Sequence, residues 1–153
     1  MKIGVISDTH MSEPSRKLSE LTSRVFSDVT LILHAGDITR MGVLEAFSDK
    51  KVIAVSGNMD QHDDAGALPA TRIATVEGYR IGLIHGWGSA RGIEDRIFQS
   101  FSDVNAIVYG HTHTPANHWK DGVLMFNPGA FSGHRSVGIL TIDEGISGEI
   151  ITL

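Results

Sequence analysis

Lys2-Ile3-Gly4-Val5-Ile6-Ser7-Asp8-Thr9-His10 is a short apolar, β-rich run that ends on two side chains able to bind a metal ion. Its length and composition read as a buried strand, with the polar pair at the carboxyl end. Four more segments repeat the arrangement. Leu31-Ile32-Leu33 leads through His34-Ala35-Gly36 to Asp37, and Val52-Ile53-Ala54-Val55 leads through Ser56-Gly57 to Asn58. Arg80-Ile81-Gly82-Leu83-Ile84 ends on His85, and Ala106-Ile107-Val108-Tyr109 leads through Gly110 to His111 and His113. In open α/β sheets the crevice beyond the carboxyl ends of the strands is where ligands bind, so five such ends can converge on one site.

Between these runs the spacing turns helical, which favours a layered α/β fold. Leu18, Leu21 and Val25 predict a helix from about Pro14 to Phe26, Met41 to Phe47 a shorter one, and Ile93, Ile97 and Phe101 a third over 92–101. The polar stretch from Gln61 to Pro69, with His62, Asp63 and Asp64, reads as a loop beside the site. From Ala106 onward the apolar runs 106–109, 115–119, 123–126, 137–142 and 149–153 alternate with turn residues, and several can pair as adjacent antiparallel strands. The expectation is one domain over 1–153, built as two mixed sheets packed face to face with helices outside.

Composition narrows the function classes. A chain of 153 residues with 41% hydrophobic content can bury a substantial core. Its 13 basic against 18 acidic residues give a net charge of −5, which argues against a protein that coats nucleic acid, so no stable nucleic-acid complex is expected. There is no cysteine, so any metal must be held by imidazole, carboxylate and amide. No basic leader precedes Lys2 and no stretch approaches the roughly 20 apolar residues of a membrane span, so the expected location is the cytoplasm, away from membranes.

Two metal ions about 3.5–4 Å apart need a shared ligand, and a carboxylate bridges hard cations most readily. Asp37 is the candidate bridge. Asp8 and His10 are two apart, as are His111 and His113, and in extended chain such pairs face opposite ways. A turn begun at Thr9, and the freedom of Gly110, must bring each pair together. Asn58 can coordinate only through its carbonyl oxygen, leaving its NH₂ as a donor. The mixed nitrogen and oxygen set suits manganese, iron, zinc or nickel better than calcium. Two divalent ions against Asp8 and Asp37 leave the site near +2, attractive to an anion, and would give a bridging hydroxide for attack at phosphorus.

Asp8-Thr9-His10, Gly36-Asp37, Gly57-Asn58, His85-Gly86 and Gly110-His111-Thr112-His113 together resemble the calcineurin-like metallophosphoesterase superfamily, over most of the chain. The short length, without a cap or extra domain, is similar to the small bacterial and archaeal phosphodiesterases of that group, whose fold is a four-layer αββα sandwich. The resemblance implies one metal on Asp8, His10, Asp37 and His113 and another on Asp37, Asn58, His85 and His111, with manganese the first expectation and nickel, iron or zinc the alternatives. Asn58, Asp37 and His85 are then the residues expected to act in catalysis. Asn127-Pro128-Gly129 matches a turn the family carries late in the chain. One departure is Met59, where much of the superfamily has a histidine thought to protonate the leaving group; a thioether cannot donate a proton. His62 and His134 are spare histidines that could stand in.

The implied activity is a metal-dependent phosphodiesterase acting on a small phosphoester, a nucleotide among the candidates, with a homo-oligomer open. A phosphomonoesterase is an alternative, disfavoured because a monoester dianion with a poor leaving group wants the missing proton donor. The alternative from another class is a binding scaffold, similar to the retromer subunit built on this fold, although no ligand is missing here. Individual residues have plainer readings beside the functional ones. His34 is either an outer partner of the metal ligands or a packed core histidine; Asp60 is a turn residue or such a partner; Asn127-Pro128-Gly129 is first a tight turn and second a wall of the site. Trp87, Gly88 and Arg91 follow His85 on a loop, where Arg91 either meets phosphate or simply starts a helix, and His118 and Trp119 belong to surface or interface.

Overall fold

A computed structural model, describing residues 1–133 and 135–153, contains ten strands and two α-helices among the described residues. The first sheet joins β1 (Lys2–Ile6), β2 (Leu31–His34), β3 (Lys51–Ala54), β9 (Ser136–Ile142) and β10 (Ile146–Thr152) in the order β10-β9-β1-β2-β3. β1, β2 and β3 run parallel, while β9 is antiparallel to both β1 and β10. The second sheet joins β4 (Thr71–Val76), β5 (Tyr79–Ile84), β6 (Ala106–Val108), β7 (Ala116–Lys120) and β8 (Val123–Asn127) in the order β4-β5-β6-β8-β7. Here β5, β6 and β8 are parallel, and β4 and β7 are antiparallel edges. Both sheets are therefore mixed, as expected.

The sheets pack through one apolar layer in which Ile3, Val5 and Leu33 of the first meet Leu83, Val108 and Phe126 of the second, all fully buried. Each such side chain is worth about 1.5–3 kcal/mol of burial. On the outer face of the first sheet lie α1 (Arg16–Arg24) and a 3₁₀ segment, Met41–Phe47, which bury Leu18, Leu21, Val43 and Phe47 against Ile6, Ile32 and Ile139. On the outer face of the second lies α2 (Ile93–Phe98), packing Ile93 and Ile97 against Ile84, Ile107 and Met125. Four layers result, αββα.

The helices are shorter than the apolar spacing predicts. Ser15 caps α1, its Oγ accepting the Leu18 N–H at 3.3 Å, so Pro14 lies outside the helix and Phe26 beyond its other end. Met41–Phe47 coils as a 3₁₀ helix with i to i+3 bonds such as Val43 N–H to the Arg40 carbonyl. Gly92, at φ +72°, and the turn at Ser100 confine α2 to six residues. The 61–69 loop contains a 3₁₀ turn at Asp64–Ala67.

Strand pairing also differs in two places. β9 leaves the second sheet and pairs with β1 and β10, and β6 runs parallel to β8, so only β7–β8 and β9–β10 are antiparallel neighbours in the second half. β4 has no strong strand signal because Thr71, Arg72 and Thr75 interrupt its apolar pattern and only Ala74 and Val76 are buried; it exists as the partner of β5, joined by Glu77 and Gly78 at φ +49° and +81°. Such a two-residue turn with both central residues at positive φ suits a twisted hairpin. Five of the parallel strands, β1, β2 and β3 of one sheet and β5 and β6 of the other, end at the same edge of the sandwich.

Candidate metal centre

The ligand candidates sit just past those five ends, in backbone conformations that L-residues rarely adopt. Asp8, His10, Asp37, His111 and His113 have φ of +54°, +47°, +54°, +67° and +60°. Asp and His are enriched among non-glycine residues in this left-handed region, which costs roughly 1–2 kcal/mol per residue. Each excursion replaces the strict alternation of a strand, so Asp8 and His10 turn to the same side, and so do His111 and His113. The expected turn at Thr9 is thus made by the ligands themselves. Backbone bonds pin the segments together: Asp8 N–H to the Gly36 carbonyl, His10 N–H to the Asp37 carbonyl and Gly110 N–H to the His85 carbonyl, each 3.0 Å.

Glycines precede several ligands for a steric reason. A Cβ at Gly57 would collide with Asp37 Oδ1, and one at Gly110 with Ser7 Oγ. Gly110 is needed for close approach of β6 to β1 rather than for an unusual φ.

Five of the seven candidates converge tightly, and the other two, His111 and Asn58, lie beside them. Asp8 Oδ1 lies 3.1 Å from His113 Nε2, 3.8 Å from His10 Nε2 and 3.9 Å from His85 Nε2. Asp37 Oδ2 lies 3.3 Å from His85 Nε2 and 3.7 Å from His10 Nε2. The rings form two edge-to-face pairs, His10 with His113 at 5.7 Å and His85 with His111 at 5.3 Å. Asn58 meets His111, Oδ1 to Nδ1, at 3.1 Å. Asp8 with His10 and His113, and Asp8 with Asp37 and His85, are groups whose ligand atoms could each share one ion. Asp8 thus reaches into both halves of the site, closer to His85 than an assignment to one metal implies.

Behind the ligands, buried polar groups fix their directions. Ser7 Oγ donates to Asp8 Oδ2 at 2.5 Å, leaving Oδ1 facing the site. His85 Nδ1–H donates to the Ala35 carbonyl at 2.7 Å, which turns Nε2 toward the carboxylates. The N–H of Met59 donates to Asp37 Oδ1 at 2.9 Å, while the Met59 side chain is exposed. Asp60, fully buried, accepts from Thr39 N–H and Gly57 N–H, each at 2.7 Å, and so ties the Asp37 loop to the Asn58 loop. His34, also fully buried, accepts the Gly36 N–H at 3.2 Å through Nδ1 and faces Thr9 Oγ1 at 3.2 Å through Nε2. It is both a core histidine and a partner of two ligand turns. Asn127 donates through Nδ2 to the Gly110 carbonyl at 3.0 Å and Thr112 Oγ1 at 3.1 Å, and accepts the Gly129 N–H at 2.9 Å. Ser7 had no distinguishing signal in the sequence, since a serine before an aspartate reads as a turn.

Other candidates lie apart. Arg91 is exposed at the approach to α2 and bonds through its backbone, its N–H to Ser89 Oγ at 3.2 Å and its carbonyl to Arg96 at 3.0 Å. His118 pairs with Glu94 at 2.9 Å and Trp119 is exposed, both on edge strand β7. His62 is exposed in the turn after Asn58–Asp60, and His134 lies outside the described residues.

The electrostatics suit a cation. Burial alone would raise the carboxyls of Asp8 and Asp37, but His10 and Ser7 around the first and His85 beside the second hold both below the usual carboxylate range. The Asp8 carboxylate raises His10, and Asp37 and Asp8 raise His85 against its burial. Burial pushes His34 down to about 3, so it is neutral. Asp8 Oδ1 and His85 Nε2 are buried with no hydrogen-bond partner, in a protein where such atoms normally have one. With Nε2–H of His111 given to the Gly88 carbonyl at 2.8 Å, its Nδ1 lone pair faces another acceptor, Asn58 Oδ1. The buried atoms without partners face one space, and the site's donor set of imidazole, carboxylate and amide fits divalent ions.

Comparisons with known proteins point the same way. Residues 1–145 match the family model described as the calcineurin-like phosphoesterase superfamily domain. A protein of Methanothermobacter thermautotrophicus named "Probable metallophosphoesterase" is 38% identical, over 99% of this chain and 92% of its own length. The phosphodiesterase YfcE of Escherichia coli is 31% identical, over 86% of this chain and 80% of its own. Among solved structures, one titled as a novel archaeal phosphodiesterase superposes with a TM-score of 0.78 at 24% identity over 100% of both chains. Vps29 of Chaetomium thermophilum superposes at 0.76 with 17% identity over 99% of this chain and 96% of its own. Both shared folds include the two-sheet sandwich.

Proposed function

This chain belongs to the calcineurin-like phosphoesterase superfamily, and on that premise we propose that it is a phosphodiesterase working with two divalent metal ions, manganese first among them. The observation that carries the reading is the convergence of two buried carboxylates on the same imidazoles, Asp37 Oδ2 at 3.7 Å and 3.3 Å from Nε2 of His10 and His85 and Asp8 Oδ1 at 3.8 Å and 3.9 Å from the same atoms. One ion would be held by Asp8, His10, Asp37 and His113 and the other by Asp37, Asn58, His85 and His111, the latter through Nδ1. When bound, such ions supply Lewis acidity to the phosphoryl oxygens and a water made acidic enough to attack near neutral pH.

The chain's own groups do the rest. Asp8 and Asp37 carry two negative charges that neutralise only part of the cationic load, so an anionic ester is drawn to the site rather than to a protein of net charge −5. Asn58, held through its carbonyl, turns its NH₂ toward a non-bridging oxygen. His85, locked by Ala35, and Asp37, locked by Met59 N–H, keep their positions through the reaction, the preorganisation that electrostatic catalysis needs. At Met59 an exposed thioether stands where a proton donor would, and general acid help is worth about 10²–10⁴-fold. The substrate is accordingly a diester whose leaving group departs without protonation, in preference to a monoester. No helix among the described residues is long and apolar enough to cross a membrane, and the cytoplasm is the proposed location.

The test is hydrolysis of bis(p-nitrophenyl) phosphate and p-nitrophenyl phosphate by protein stripped of metal and reloaded with manganese, nickel, iron or zinc, with Asp37→Asn as control. Metal-dependent diester turnover that is lost in the variant supports the proposal. Folded protein with no turnover under any metal refutes it and favours the scaffold reading.

A further inference from the structure

Beside the metal centre lies a cavity of about 320 Å³, open to solvent, whose walls include Asn58 and His85. That volume is at the small end of ligand sites. Its other walls include Ser56, Gln61, Thr71, Ser100 and Trp87 beside apolar Ala70 and Ile84, and among the described residues no lysine, arginine or carboxylate lines it. Trp87 is 47% exposed, yet its loop is held at four carbonyls between Trp87 and Arg91. The Arg96 guanidinium donates to the carbonyls of Trp87 at 2.9 Å, Arg91 at 3.0 Å, and Ser89, while His111 Nε2–H takes the Gly88 carbonyl at 2.8 Å. An exposed indole ordinarily turns freely; this one is carried on a fixed backbone two residues after a metal-ligand candidate.

We propose that this cavity binds one ester arm of the substrate, that the arm carries a flat uncharged ring of nucleobase type, and that Trp87 stacks on it. The proposal rests on the phosphodiesterase reading and names its substrate class. Rings stack on indole faces without regard to hydrogen-bond pattern, while hydroxyl and amide groups around the wall pair with ring and sugar edges. A second phosphate is disfavoured there, because away from His85 and the metal centre the wall offers no cation. Arg96 is a positioning residue: it touches no substrate and acts through the loop.

Two measurements test it. In the first, manganese-loaded enzyme hydrolyses thymidine 5′-(p-nitrophenyl) phosphate and ethyl p-nitrophenyl phosphate, and the ratio of the two kcat/KM values is compared among variants. Trp87→Ala is expected to lower the preference for the nucleoside arm by about tenfold or more, mainly through KM, and Trp87→Phe to restore most of it. Arg96→Gln lowers it in part, and Trp119→Phe, on the far edge strand, leaves it alone. A preference unchanged in Trp87→Ala overturns the proposal while the hydrolase reading stands.

The second needs no turnover. In Trp119→Phe protein the fluorescence comes from Trp87 alone, since the chain has two tryptophans. Adenosine 5′-monophosphate is expected to quench it saturably and ribose 5-phosphate not to. Equal responses, or none to either, refute the stacking site even if both esters are hydrolysed; loss of all hydrolysis with quenching intact refutes the parent reading instead.

Discussion

Asn127 Nδ2 donates to the Gly110 carbonyl at 3.0 Å, so a buried amide at the end of β8 holds the loop on which His111 and His113 turn into the site. Asn127→Leu removes three hydrogen bonds without opening a cavity. Metal affinity, read by calorimetry, is expected to fall about 10–100-fold, the usual effect of losing an outer support. An unchanged affinity would show that the left-handed turns hold themselves.

Asp60 ties two ligand loops through Thr39 and Gly57. Asp60→Ala leaves two N–H groups unpaired, one of them fully buried, and is expected to cost about 1–3 kcal/mol for each. Urea unfolding of metal-free protein measures it; a loss under 1 kcal/mol in total would contradict the structural role.

Gly57→Ala places a methyl group against Asp37 Oδ1 and the Asp37 backbone N, so the Asp37 and Asn58 loops must move apart. Metal binding and stability are both expected to drop, whereas Gly42→Ala, at a position open on all sides, leaves both intact. Equal losses in the two variants would argue against the steric account.

His10 and His85 are raised above their ordinary 6.5 in the metal-free protein, so ions must displace protons from them. Affinity is expected to rise with pH through the range above 6.5, with net proton release on binding near pH 7. Calorimetry in two buffers of different ionisation enthalpy counts the protons. Zero release would mean that the histidines are already neutral.

His34 gives metal-free protein an acid sensitivity of its own. With its folded value near 3 and its unfolded value near 6.5, stability is full above 6.5 and lost as pH falls toward 3, on the order of 4 kcal/mol across that window. Asp8 and Asp37 contribute at all pH above their ordinary 3.8, fading only as pH falls through their lowered values, so they do not mask the effect. His10 and His85 act oppositely, stabilising below 6.5 and ceasing to do so as pH rises through their raised values. His34→Gln is expected to flatten the stability profile between pH 4 and 6.5; parallel profiles would refute the assignment.

The strand ends were legible because a run such as Val5-Ile6-Ser7-Asp8 changes chemistry abruptly, and burial on both faces leaves few other readings. The face-to-face sheets followed from the change of pattern after Ala106. What lay hidden is non-local. β4 is a strand only because β5 offers an edge, and β9 joins β1 across the whole length of the chain, which no window of sequence contains. Within the site, the ligand types were readable but not the conformations that aim them, since the left-handed turns at Asp8 and His113 are braced from other segments, by Asp8 N–H to the Gly36 carbonyl and by Asn127 Nδ2 to the Gly110 carbonyl. The helix ends at Ser15 and Gly92 were present as ordinary capping residues, overshadowed by apolar spacing that continued past them.

Because β1, β2 and β3 belong to one sheet and β5 and β6 to the other, the donors run from Asp8 to His113, and apart from Asp8 with His10 the pairings in the centre join residues far apart in the chain. Contacts so distant in sequence close late during folding. A nascent chain on the ribosome therefore offers a passing ion no competent seat until β6 has emerged and the two sheets have docked. On the proposed two-metal reading, loading then follows the docking of the two sheets.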